Sequence, residues 1–138
     1  MRVGSLAACL AAAALATISC GGITDPSQNQ TETFAGTIAP VALGGTGQGP
    51  VHHFNINNNG EYTVKVTAMT PQFNNFFGVA LATGDNCSVL AGQNTLANVG
   101  GQALSGAVFQ KGGYCLVITD IYNLMTVNEN YTVTVSHP

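Results

Sequence analysis

The sequence predicts an all-β fold, a single antiparallel β-sandwich of jelly-roll or immunoglobulin-like type with about seven to nine strands. Short apolar or alternating stretches recur along residues 31–138, and turns rich in glycine and asparagine separate them. No stretch of this region convincingly repeats its apolar residues with the helical period of about 3.6 residues. These observations together favour strands over helices along the whole domain.

The first candidate strands alternate between apolar and polar residues. Residues 33–38 form a short strand, and residues 51–57 follow it after a glycine-rich loop. Residues 61–68 show the clearest period of two, typical of a strand with one wet face. Its apolar face consists of Tyr62, Val64, Val66 and Ala68. Because the turn at residues 57–60 (NNNG) tolerates positive φ, the strands at 51–57 and 61–68 are predicted to form a hairpin.

The later candidate strands complete the sandwich. Residues 76–82 and 114–118 are nearly continuous apolar runs, which indicates strands covered on both faces. Residues 102–109 form a moderate candidate, and residues 130–136 alternate again. Residues 94–99 are ambiguous between helix and strand, and two glycines end them.

The N-terminus has the features of a secretory signal peptide. Arg2 precedes an apolar run over residues 6–18, which is too short for the roughly 20 residues of a bilayer-spanning helix. The run ends in Thr17-Ile18-Ser19-Cys20, which resembles a bacterial lipobox but has Thr17 where leucine is usual. The resemblance implies a signal peptide over residues 1–19, a lipid on Cys20 and, since Gly21 is not acidic, an outer-membrane location.

A second cleavage chemistry competes with the lipobox. The segment at residues 14–16 (ALA) is a plain small-Xaa-small signal peptidase site, and its use would release a secreted, soluble protein. In either case residues 20–30 are rich in Gly, Ser, Pro, Asn and Gln. This composition predicts a flexible tether ahead of a domain over residues 31–138.

The cysteine count predicts one disulfide bond. Cys9 lies within the predicted signal peptide and Cys20 would carry lipid, so Cys87 and Cys115 remain as a pair in an oxidising compartment. Free buried thiols and a metal site are the alternatives. The metal alternative is the weaker one, because the two cysteines have no CxxC spacing and no histidine near them in sequence.

Five stretches resemble bacterial pre-peptidase C-terminal domains and, more closely, small envelope lipoproteins built on that pattern. They are residues 33–38 (TFAGTI), 53–56 (HFNI), 60–66 (GEYTVKV), 111–117 (KGGYCLV) and 131–135 (YTVTV). The resemblance implies a β-sandwich accessory domain without catalytic activity of its own. Some members bind calcium through paired aspartates in a middle strand. The corresponding residues 77–81 (FGVAL) contain no acid, so no calcium site is expected here.

The sequence contains no recognisable set of residues for catalysis or for binding a cofactor. His52 and His53 are neighbours in a strand and so point to opposite faces, and nothing requires His137 as a partner for either. Asp120 follows an apolar strand, where an Asx-type turn is its expected role. We therefore expect no enzyme, no metal and no cofactor. Only three residues are basic, which excludes the usual electrostatic binding of nucleic acid.

The predicted function is that of a non-enzymatic, lipid-anchored structural or interaction module of the cell envelope. Only 7% of the residues are charged, against about 25% in ordinary proteins, which favours uncharged partners such as an envelope protein or a polysaccharide. The alternative is a carbohydrate- or peptidoglycan-binding module. Its candidate ligand-binding aromatics are Phe73, Phe76 and Tyr122, which lie in or beside asparagine-containing segments.

Overall fold

Two antiparallel sheets pack face to face in a computed structural model that describes residues 23–71 and 76–138. The predicted signal peptide, the lipidation site Cys20 and the aromatic candidate Phe73 lie outside these ranges. Within them the chain forms strands, turns and two short 3₁₀ segments, and it contains no α-helix. The predicted all-β sandwich is confirmed.

Eight long strands build the two sheets, and the two-residue β1 (Ile23–Thr24) precedes them. The long strands are β2 (Gln30–Ile38), β3 (His52–Ile56), β4 (Asn59–Thr70), β5 (Phe77–Thr83), β6 (Ser88–Ala97), β7 (Gln102–Val108), β8 (Gly112–Thr119) and β9 (Glu129–His137). The ambiguous segment at 94–99 belongs largely to β6, a strand that is longer than its sequence pattern indicates.

The strand order is that of a jelly roll. One sheet has the order β2-β9-β4-β7, and the other has β3-β8-β5-β6. Apart from β5 and β6, consecutive long strands lie in opposite sheets. The short β1 pairs in parallel with the start of β4.

The predicted hairpin between residues 51–57 and 61–68 is wrong. Strand β3 pairs with β8, whereas β4 pairs with β9 and β7 in the other sheet. The turn at 57–58 therefore joins the two sheets. A turn sequence indicates where the chain reverses, but the register partner depends on which apolar faces meet across the core.

A β-bulge in β4 changes which side chain is buried at its end. Tyr62, Val64 and Val66 are buried as predicted, but Ala68 is exposed and Met69 takes the inward position. The pairing with β9 shifts between Val66 and Ala68, because one extra residue enters the ladder there. Strict alternation in the sequence cannot anticipate this change of phase.

The core lies between the sheets and is almost entirely apolar. On the inward face of β5, Phe77, Val79 and Leu81 are at most 1% exposed, and on its outward face Gly78 and Ala82 are buried while Ala80 is half-buried. Tyr131 and Val133 of β9 are buried as well, while Phe34 of β2 is half-buried at the edge of the core. The outward positions of β9 and β2 are mostly threonine.

The segment expected to be a flexible tether is held against the sandwich from residue 23 onward. Strand β1 pairs with Asn59 and Gly60, and the Asn29 side-chain amide donates to the Glu61 carbonyl at 2.8 Å. The Asp25 carboxylate accepts from the Ser27 amide at 2.9 Å and so caps a short 3₁₀ turn. The structure thus places the beginning of the domain earlier than residue 31.

Candidate functional site

The sandwich has two different ends. At the entry end lie β1, the C-terminal Pro138 and the turns at 57–58, 84–87 and 109–111. At the loop end lie the connections β2–β3, β4–β5, β6–β7 and β8–β9. Strand β2 runs from the entry end to the loop end, and its nine residues correspond to roughly 30 Å.

Exposed apolar side chains concentrate at the loop end. We define the apolar cap as six residues whose exposed fractions range from 46% to 63%. They are Val41, Leu43, Phe76, Ile121, Tyr122 and Leu124. Val51 and Leu96, at adjoining strand ends, are also exposed, whereas only Val89 and Phe109 among the described exposed large hydrophobics lie at the entry end. At about 150 Å² per large side chain, the cap exposes on the order of 500 Å², within the range of about 300–600 Å² that the largest apolar patch of an ordinary monomer covers.

Charged residues are distributed in the opposite way. The connections at 39–51, 71–76, 98–101 and 120–128 contain Asp120 as their only acidic or basic residue, and it is 5% exposed. The other charged side chains that reach the surface lie at the entry end or in the middle of the strands. They are Asp25, Glu32, Glu61, Lys65, Asp85 and Lys111. The cap is therefore both apolar and uncharged.

Asp120 organises the β8–β9 connection from within. Its two carboxylate oxygens accept from the backbone amides of Leu124 at 2.8 Å and Met125 at 3.1 Å. The Asp120 amide donates to the Gly47 carbonyl at 2.7 Å, which ties this connection to the β2–β3 loop. The buried Met125 anchors the segment, while its neighbours Tyr122 and Leu124 project outward. The predicted local turn role of Asp120 extends to backbone amides four and five residues along the chain.

The β2–β3 loop holds Val41 and Leu43 in a 3₁₀ turn. The amides of Leu43 and Gly44 donate to the carbonyls of Pro40 and Val41, at 3.1 and 2.9 Å. Gly44 ends the turn with φ of 78°, a left-handed conformation that favours glycine. Because these hydrogen bonds are internal to the loop, the turn holds Val41 and Leu43 at the surface without contacts from outside the loop.

Two of the three predicted ligand-binding aromatics belong to this end of the molecule. Phe76 immediately precedes β5 and is 47% exposed, and Tyr122 follows β8 and is 63% exposed. The side chain of Ile121 lies over Gly78 of β5, which brings the two segments together. Sequence reasoning missed the aliphatic members Val41, Leu43, Ile121 and Leu124, although apolar residues inside glycine- or asparagine-rich loops are a usable signal.

The disulfide bond lies at the entry end. Cys87 and Cys115 are bonded, with their Cα atoms 5.7 Å apart, which confirms the predicted pairing. The exposed His53 places Nδ1 at 3.5 Å from Cys115 Sγ and 3.8 Å from Cys87 Sγ. Three potential metal ligands thus meet, but the S–S bond removes the thiolates that a metal would need. This arrangement is a structural crosslink.

His52 faces the interior, opposite to His53. Its Nε2 is hydrogen-bonded to the Tyr131 hydroxyl at 2.8 Å, and its ring stacks on Phe34 with centroids 4.9 Å apart. Burial lowers the pKa of the His52 imidazole and raises the pKa of Tyr131 to about 12. His137, at the other end of β9, is buried and its Nε2 lies 3.0 Å from Glu32 Oε1. These contacts close the edge of the sandwich between β2 and β3.

Comparisons with protein-family models, curated proteins and solved structures find no match to this chain. None of the helical segments within residues 23–71 and 76–138 is long and apolar enough to span a membrane. The described residues form a disulfide-crosslinked jelly roll with a charged entry end and an apolar loop end that exposes no acidic or basic side chain.

Proposed function

We propose that this chain is a non-enzymatic, lipid-anchored protein of the cell envelope that acts as an interaction module through its apolar cap. The proposal rests on the contrast between the two ends of the domain, one of which has charged residues while the other exposes apolar side chains. The largest apolar patches on soluble domains are often functional, and these exposed apolar residues lie at the end farthest from the chain's N-terminal entry.

The position of the cap fits an anchor on Cys20. Ile23, where β1 begins, follows Cys20 by three positions in the chain, and this length of chain spans at most about 11 Å. A lipid on Cys20 would hold the entry end close to the membrane, and the cap would then lie a further strand length, roughly 30 Å, away. The cap would face other envelope components. The lipobox and Gly21 favour the outer membrane as the anchoring surface.

A structural role for the titratable groups supports the absence of catalysis. His52, Asp120 and His137 are each engaged in contacts that hold strands or loops together. The β-sandwich is also the fold that the resemblance to pre-peptidase C-terminal domains implies. Because unrelated families share this architecture, membership of that group remains part of the proposal.

Fatty-acid labelling tests the anchor. We expect labelled fatty acid to enter the wild-type protein and not Cys20→Ser. The matched control is Cys9→Ser, which removes a cysteine of the predicted signal peptide and should still be labelled. Equal labelling of Cys20→Ser and wild type would contradict the lipoprotein proposal, as would an unlabelled wild type found wholly in the medium.

A comparison of two charged variants tests the docking surface. Tyr122→Asp introduces charge in the cap, and Phe109→Asp introduces it at a side chain of similar exposure, 68%, at the entry end. After chemical cross-linking in intact cells, adducts of the protein should fall at least about tenfold in Tyr122→Asp and persist in Phe109→Asp. Adducts that survive equally in both variants would show that the cap is not the docking surface.

The exposure of Phe76 and Tyr122 at the same end of the domain favours a carbohydrate-binding module as the second candidate. Exposed rings can stack on the apolar faces of sugars, and the amide side chain of Asn123 lies between Tyr122 and Leu124 in the chain. Sedimentation with insoluble wall glycan distinguishes this function. Phe76→Ala and Tyr122→Ala should each reduce the bound fraction, with Phe109→Ala as the control. Binding that is unaffected by all three changes would remove this candidate.

A further inference from the structure

We propose that Cys87, Cys115 and His53 bind a Zn²⁺ ion once the disulfide bond between the two cysteines is reduced. The inference does not depend on the apolar cap or on the lipid anchor, because it concerns a different group of residues at the entry end. It rests on the position of the His53 ring against both sulfur atoms. The fold creates this position, since His53 precedes Cys87 by 34 positions in the chain and Cys115 by 62.

The distances around His53 match the edges of a tetrahedral zinc site. With Zn–S bonds of about 2.3 Å and Zn–N bonds of about 2.0–2.1 Å, a nitrogen and a sulfur that bind the same ion lie about 3.5 Å apart. His53 Nδ1 lies 3.5 Å from Cys115 Sγ and 3.8 Å from Cys87 Sγ. Within residues 23–71 and 76–138 these three side chains are the one group of His, Cys, Asp or Glu residues that is compact enough to hold an ion.

The surroundings of the three side chains give an ion access from solvent. His53 is exposed and Cys87 is half-buried, whereas Cys115 is buried. His53 and Asp85 line an open cavity of about 370 Å³, and the exposed imidazole can turn about its side-chain bonds so that a nitrogen lone pair points to the ion. A water molecule would complete the four ligands, as it does in zinc sites with three protein ligands. Thiolate and imidazole ligands favour zinc over calcium and magnesium, which take oxygen ligands.

Reduction of the disulfide by a dithiol would supply the two sulfur ligands. A thiolate of the dithiol attacks the accessible Cys87 Sγ, a mixed disulfide forms, and the bond to Cys115 breaks so that Cys115 leaves as a thiolate. The second thiol of the reductant then displaces Cys87. The dithiol ends as a disulfide, and its two protons pass to the two cysteine thiolates. Binding of Zn²⁺ releases these protons to solvent.

A bound ion would replace the lost crosslink. Cys87 belongs to the turn at 84–87, Cys115 to β8 and His53 to β3, so coordination would join the same two segments as the disulfide and add a third. A ligand that binds the folded state alone stabilises that state by mass action. Zn²⁺ should therefore stabilise the reduced protein and leave the oxidised protein unaffected, so that this part of the entry end stays joined in both redox states.

Titration with Co²⁺ tests the site, because tetrahedral Co²⁺ bound to thiolates absorbs visible light strongly whereas Zn²⁺ does not. The full chain is isolated without a polyhistidine tag, reduced with a phosphine, freed of reductant under nitrogen and titrated. We expect the reduced wild type to bind one equivalent, Zn²⁺ to displace it, and the oxidised protein to show no such absorption. His53→Ala should bind at least about tenfold more weakly, since even the outer partners of metal ligands change affinity about 10–100-fold. The matched control is Asn55→Ala, two positions along the exposed face of β3, which should bind like the wild type.

Several outcomes of the titration would overturn the inference. They are a reduced wild type without the tetrahedral cobalt spectrum, equal binding by His53→Ala and the wild type, and equal binding by the oxidised and reduced proteins. Urea unfolding gives a second readout that does not use cobalt. Zn²⁺ should raise the urea midpoint of the reduced wild type, should raise that of reduced His53→Ala less, and should leave the oxidised protein unchanged. A reduced wild type whose midpoint does not respond to Zn²⁺ would overturn the inference as well.

Discussion

Cutting the crosslink between Cys87 and Cys115 should lower the stability of the domain more than most single side-chain changes. The bond joins the turn after β5 to the middle strand β8 and closes a loop over a separation of 28 residues. In the chain-entropy model the bond restricts the unfolded chain, so reduction increases the entropy of the unfolded state. For this loop the model gives about 3.6 kcal/mol at 25 °C. For a domain the size of residues 23–138, this corresponds to a decrease in Tm of about 15 °C.

Urea unfolding of the oxidised and reduced wild-type protein measures this difference. Reduction keeps both sulfur atoms in place, so the comparison isolates the covalent link from the packing of the buried Cys115. The slope of the free energy of unfolding against urea should also rise on reduction, because the unfolded chain expands. The double variant Cys87→Ala and Cys115→Ala should unfold at or below the urea concentration of the reduced protein and should not respond to reductant. A difference below about 1 kcal/mol between the oxidised and reduced forms would refute the loop-entropy argument for this protein.

Three further predictions concern the interior. Burial lowers the pKa of His52 in the folded state, so the unfolded chain binds the proton more readily than the folded chain does. The contribution of His52 to stability should therefore be greatest above about pH 6.5 and should fall at lower pH. His52→Gln should flatten this part of a plot of urea midpoint against pH. Asp120→Asn weakens the bonds to two loop amides and should cost about 1–3 kcal/mol in urea unfolding, whereas Asp85→Asn at an exposed turn should stay within about 0.5 kcal/mol. Met69→Ala should cost about 2–5 kcal/mol and Ala68→Ser less than about 0.5 kcal/mol; the reverse order would contradict the bulge in β4.

Local pattern was sufficient to predict seven of the eight long strands, but β6 was left ambiguous and the partners of the strands were not predicted. The alternation in β4 and β9 and the apolar runs in β5 and β8 identify which residues are buried, since each depends on neighbours along one strand. The pairing of β3 with β8 depends on contacts between residues such as Phe54 and Tyr114, which are far apart in sequence. The bulge that exchanges Ala68 for Met69 likewise arises from the facing strand β9. No single-strand pattern contains that information.

Only part of the candidate site was predicted, because its residues come from several loops that are far apart in sequence. Phe76 and Tyr122 could be proposed because aromatic rings lie in or beside asparagine-containing segments, whereas Val41, Leu43 and Leu124 were missed although they lie in glycine- or asparagine-rich loops. No single loop shows that these residues share one end of the domain, which follows from the alternating direction of the strands. The disulfide was predictable without knowledge of the fold, because the number of cysteines and the expected oxidising compartment were sufficient to identify the pair.

The alternating direction of the strands also explains how a chain with so few charges has a charged end and an apolar end. Consecutive long strands run in opposite directions, so the connections between them lie alternately at the two ends of the domain. The connections at 57–58, 84–87 and 109–111 have Glu61, Asp85 and Lys111 in or beside them, and all three turns lie at the entry end. The intervening connections contain only the enclosed Asp120 and carry the cap. The low overall charge is therefore less informative than the position of the charges. At the loop end the acidic residues Asp120 and Glu129 are at most 5% exposed, so an apolar contact there would not have to remove an exposed charge from water.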